Sequence, residues 1–146
     1  MNTVLKYLEL KNFWFKKFLT TCEFFLASMK KNPDISMESL DLFEGNRNRL
    51  LTIIKRTEEK LQISLEQPEM LNFIPNSEQK TKINFHLREK DSILAQILIT
   101  DKEILDLMES VRKDTDEKIK LLNKGKKALA KYKSTVKYSD GLDKQV

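Results

Sequence analysis

Cys22 and His86 are the only cysteine and the only histidine in this chain of 146 residues, and they lie far apart in sequence. A thiolate nucleophile or a neutral-pH base would have to come from these two positions. No Cys or His pair has the spacing of metal ligands, and no nucleophile motif surrounds a serine or Cys22 that His86 could activate. Three glycines, Gly45, Gly125 and Gly141, are too scattered to cradle a phosphate. The carboxylates Asp91, Asp101, Glu103, Asp106 and Glu109 crowd one helical stretch, where a hydrated face explains them better than an acid–base pair or a cation site. Cys22 reads as a small buried apolar residue and His86 as a residue at the edge of a bundle. The expectation is a protein that binds, not an enzyme, with no cofactor and no metal.

The composition agrees. Hydrophobic residues make up 40% of the chain and charged ones 34%, with only three glycines and three prolines. Such a chain folds, and as helix. A lone cysteine points to a reducing compartment. The most apolar patch, "TTCEFFLASM", is short and interrupted by Glu23, unlike a signal peptide or a spanning helix. A soluble cytoplasmic protein is expected. The net charge of +5 is uneven, because residues 118–146 hold nine lysines against Asp140 and Asp143, a local +7 that leaves −2 for the rest. A basic end can meet nucleic acid, membrane or an acidic protein. It contains lysine and no arginine, so bidentate recognition of bases or phosphates is missing, and lysines also complement the negative end of a helix. Nonspecific nucleic-acid binding is therefore the weakest reading, and no nucleic-acid partner is expected.

Positioning falls to three helices. The first should run from about 3 to 31, with Val4, Leu8, Phe15, Phe18, Cys22, Phe25 and Met29 on one face. Its dense aromatic cluster, Phe13 to Phe25, is expected to fill a bundle core. "NPDIS" breaks the chain, since Pro33 cannot continue a helix and Asp34 or Ser36 can cap the next. The second helix covers about 37–66, with Leu40, Phe43, Arg47, Leu50, Ile54 and Leu61 in period and Gly45 as its weak point, costing about 1 kcal/mol relative to Ala. Met70, Leu71, Phe73 and Ile74, between Pro68 and Pro75, suit a lid over the bundle end. Asn76 with Gln79 has the spacing of a capping box. The third helix then has no stop before Gly125 and is expected over 77–133. Asp101 interrupts its apolar stripe and is expected at a hydrated groove edge.

Helices one and two would each span roughly 45 Å and the third about 80 Å. The fold class expected is all-α: an antiparallel three-helix bundle or coiled coil whose long third helix overhangs the first two. A single helical domain, 1–134, would be followed by a flexible basic tail, 135–146. The overhang still carries an apolar stripe, Met108, Val111, Ile119, Leu122 and Leu129, which needs a cover: a second copy, a foreign helix, or the tail folded back. Gly125 reads either as a stop signal or as a flexible joint before a docking segment. Ala128, Leu129 and Ala130, strong helix formers that resume at once, favour the joint.

The third helix, "ILITDKEILDLMESVRKDTDEKIKLLNKGKKALAKY", resembles the last helix of the flagellar export chaperones. The similar features are an apolar pair before an aspartate and "EI", a long Leu/Lys helix, and "GKKAL" followed shortly by tyrosine. "NRNRLLTIIKRTEEKLQ" is similar to the family's second helix, and "YSDGLDKQV" to its ending. The resemblance implies a cytoplasmic, non-catalytic chaperone. Such a protein binds the C-terminal amphipathic helix of a flagellar hook-associated or filament protein. It then delivers that client to the gate and ATPase of the flagellar type III export apparatus. A tyrosine near the end of the last helix contributes to gate docking; Tyr132 matches it best, with Tyr138 the other candidate. On this reading Ile104, Met108, Val111, Ile119 and Leu122 take the client helix in a groove. The alternative is a self-associating coiled-coil scaffold whose overhang pairs with a second copy as a homodimer.

Overall fold

A computed structural model describes residues 1–134 with their side chains. The side chains of 135–146, Tyr138 among them, lie outside the described residues, although the backbone of α3 continues past the expected end at 133 to Gln145. The elements are α1 (Asn2–Lys31), α2 (Met37–Leu65), a short 3₁₀ turn (Pro68–Met70) and α3 (Ser77–Gln145). The fold is all-α, a three-helix bundle with a long third helix. Compact packing divides it into two units, Met1–Leu107 and a second that begins at Met108. No helix among the described residues is long and apolar enough to cross a membrane.

The boundaries follow from local chemistry. The Ser36 hydroxyl accepts from the Ser39 amide at 3.2 Å, so Ser36 rather than Asp34 caps α2. Asn76 and Gln79 cap α3 reciprocally: the Gln79 amide donates to Asn76 Oδ1 at 2.8 Å, and the Asn76 amide to Gln79 Oε1 at 3.0 Å. Each bond satisfies a backbone donor that has no partner inside the helix. Gly45 lies within an unbroken α2, and α3 likewise passes through Gly125, so the reading of Gly125 as a stop is corrected. Neither glycine has a positive φ.

In the first unit α1 and α2 run antiparallel. Phe25 stacks on Phe43 with centroids 3.9 Å apart and planes 5° off parallel, and Lys11 pairs with Glu58 at 3.3 Å. α3 runs parallel to α1: Lys16 pairs with Glu89, Asn12 Nδ2 donates to the His86 carbonyl at 2.8 Å, and Lys30 pairs with Glu103 at 3.4 Å. The core gathers Val4, Phe18, Cys22, Phe25, Leu26 and Met29 from α1, Phe43, Ile54 and Leu61 from α2, and Ile93, Ile97 and Ile104 from α3. Each large apolar side chain so buried stabilises the fold by about 1.5–3 kcal/mol. The buried polar residues have partners, since Thr57 and Thr100 donate to Ile53 and Gln96 carbonyls one turn back.

Two expectations about the core are corrected. Of the aromatic cluster only Phe18 and Phe25 are buried; Phe24 is 76% exposed and Phe13 47%, because their positions lie outside the face that packs into the core. The segment between Pro68 and Pro75 is not a closed lid. Met70 approaches the bundle, its Sδ 3.7 Å from the Met1 ammonium, while Leu71 and Ile74 remain exposed.

Candidate functional site

Of the residues with chemical potential, Cys22 and Asp101 meet at one place in the first unit. Arg47 Nη2 donates to Asp101 Oδ2 at 2.7 Å, its guanidinium lies 5.2 Å from the Phe18 ring centroid, and Cys22 Sγ is 3.8 Å from Asp101 Oδ1. Asp101 is thus the acceptor of an interhelical ion pair, which corrects the expectation of a merely hydrated groove edge. Burial pushes the Cys22 thiol up to about 11, the Asp101 charge adds to this, and the Arg47 charge opposes it. A thiol so raised is protonated and unreactive at neutral pH. His86 is half-buried, with Nδ1 enclosed and without a partner, and its ring meets Phe85 edge-on at 5.6 Å. Cys22 and His86 have separate partners, and among the described residues no group of three or more His, Cys, Asp or Glu could hold a metal ion. This arrangement ties three helices together.

The other candidate is the apolar face of the second unit. Ile119 and Leu122 are 49% and 64% exposed, and Met108 and Val111 are half-buried. Ile104, expected to open the groove, is corrected: at 2% exposure it belongs to the core of the first unit and is closed to an incoming helix.

Around Gly125 the face has shape. Leu121, Leu122 and Leu129, with the aliphatic stems of Lys118 and Lys126, line a shallow concavity whose centre is the missing side chain of Gly125. A Cβ built on Gly125 would meet nothing within 4 Å, so no intrachain packing demands glycine there. Leu121 was missed by sequence reasoning. The available signal was its spacing of four residues to Gly125 and eight to Leu129, which places all three along one side of a helix. Tyr132 follows one turn beyond Leu129 and is 68% exposed. Exposed leucines flanked by lysines can take the apolar face of a second helix, with the ammonium groups at the rim. Neither a family model, a curated protein nor a solved structure matches the chain.

Proposed function

We propose that the chain is a flagellar export chaperone. On this reading it is a non-catalytic protein of the cytoplasm that binds the C-terminal amphipathic helix of a hook-associated or filament protein. It delivers that client to the type III export gate and its ATPase. The observation that carries the reading is the exposed face of Ile119, Leu121, Leu122 and Leu129 around the Gly125 notch. Such a face gains stability when another helix covers it and removes it from water. Met108 and Val111 extend the client groove toward the start of the second unit, and Tyr132 serves gate docking.

The test is co-purification from native cell extract, with the bound proteins identified by mass spectrometry. Wild type should retain a hook-associated or filament protein, and Leu122→Asp with Leu129→Asp should lose it while far-UV circular dichroism stays unchanged. Retention by the double variant sinks the groove. Tyr132→Ala should retain the client and reduce its export.

The spacing of Ile119, Leu122 and Leu129 also favours a second reading, a self-associating coiled-coil scaffold. Light scattering of the isolated chain separates the two: a monomer supports the chaperone, and a tight dimer independent of concentration supports the scaffold.

A further inference from the structure

The first unit carries a second open groove, between α1 and α2, apart from the proposed client face. At its turn end Thr21, Phe24 and Ser28 of α1 face Ser39, Leu42 and Asn46 of α2 across a floor that includes the Phe25 and Phe43 rings. Phe24 and Leu42 stand in it 76% and 67% exposed.

The two walls continue in helical step. Beyond that end, helical step from Thr21 leads to Lys17, Trp14 and Leu10 on α1, and from Asn46 to Arg49, Ile53 and Arg56 on α2. Both alternate steps of four and three, the spacing of a coiled-coil seam. The Phe25–Phe43 stack and the Lys11–Glu58 pair set the antiparallel register. That register brings Lys17 within about one turn of the position across from Arg49, and likewise Trp14 with Ile53 and Leu10 with Arg56. Leu10, Trp14 and Ile53 are half-buried, a floor with an open side, while Lys17, Arg49 and Arg56 are exposed at the rim. Asp34 lines the groove at its turn end, and the two helical walls themselves carry no carboxylate. None of these three cations takes part in an ion pair among the described residues, although seven other basic side chains do; Lys17 Nζ lies 5.5 Å from the Phe13 ring centroid, a contact that leaves its charge without a carboxylate.

An apolar floor with seam spacing selects a helix over an extended peptide, and three unneutralised cations select its charge. We propose that the α1–α2 groove docks an acidic amphipathic helix of a partner protein. The helix would lie as a fourth member of the bundle, its apolar residues against Phe24, Leu42, Trp14 and Ile53. Its carboxylates would reach Lys17, Arg49 and Arg56. The site is independent of the face around Gly125 and stands whether or not that face binds a client.

Trp14 is the only tryptophan in the chain and lies on the groove wall, so its fluorescence reports occupancy directly. The probe is a synthetic helical peptide with a leucine–isoleucine seam at heptad spacing and glutamate flanks, titrated into the full chain. Expected are a saturable blue shift of Trp14 emission, weakening as salt is raised, and at least tenfold weaker binding to the Lys17→Glu, Arg49→Glu double variant. The same variant should bind a lysine-flanked version of the peptide better than wild type does. Its thermal midpoint should match wild type, because both side chains are exposed. A peptide with an alanine seam and glutamate flanks should not bind. The proposal is overturned if the glutamate peptide gives no shift or the lysine-flanked peptide binds wild type equally well. It is also overturned if generic duplex DNA produces the shift instead. Dimerisation of the free chain that Arg49→Glu abolishes would make the occupant a second copy and overturn the partner-protein assignment.

Discussion

Arg47 of α2 donates to Asp101 of α3 at 2.7 Å, with about a third of the arginine side chain and a fifth of the aspartate open to water. The guanidinium also lies against the Phe18 ring on α1, so one side chain touches both neighbouring helices. Losing either charge leaves the other poorly solvated. Arg47→Met or Asp101→Leu alone should cost about 1–3 kcal/mol of stability. The double variant should cost less than the sum, by about 1 kcal/mol or more. Urea denaturation of the four proteins measures the cycle; strict additivity would mean the pair is ornamental.

The Cys22 thiol ties stability to alkaline pH. Its folded value is raised from 9.0 to about 11, first by burial and then by Asp101. The folded state therefore favours the protonated thiol. The stability this contributes is complete below pH 9 and is lost as pH rises toward 11. Urea midpoints of wild type should fall more steeply across that window than those of Cys22→Ala. Parallel curves would show that Cys22 ionises without opposing the fold.

Asn76 and Gln79 start α3 by mutual hydrogen bonds. Asn76→Ala removes the side chain that holds the Gln79 amide and should destabilise the helix start by about 1 kcal/mol, whereas Asn76→Gly should cost only a few tenths. Hydrogen exchange at residues 77–80 should accelerate in Asn76→Ala and leave the middle of α3 unchanged.

Gly125 separates helix strength from partner binding. Gly125→Ala should add about 1 kcal/mol to the local helix, because glycine is the weaker helix former and the new methyl meets nothing in the chain. The same methyl fills the notch among Leu121, Leu122 and Leu129. More helix by circular dichroism with weaker retention of the client is the expected result. Stronger helix with unchanged retention would place the contact elsewhere on the face.

Helix number, order and starts were legible because single residues set them: Pro33 ends α1, Ser36 caps α2, and Asn76 with Gln79 opens α3. Which aromatic rings point inward was not, since a wide stripe at helical spacing does not say how many neighbours a helix has. Phe24 and Phe25 are adjacent in sequence, yet only Phe25 stacks on Phe43. Asp101 and Arg47 each interrupted an apolar stripe, and neither position alone revealed that one answers the other. Ile104, Met108 and Val111 formed an even stripe in sequence, and only packing showed that Ile104 is used within the first unit. Tyr138 lies outside the described residues, so its comparison with Tyr132 rests on sequence.

The parallel course of α1 and α3 leads to an expectation about the order of assembly. Their polar contacts join residues 73, 74 and 79 positions apart, whereas Lys11 meets Glu58 across 47. Closing the shorter loop costs less chain entropy, and helices that follow one another in sequence find each other sooner. The expected order is the α1–α2 hairpin first and α3 upon it. Phe43→Leu, within the hairpin, should slow folding, while Ile97→Val, on the late arrival, should mainly hasten unfolding.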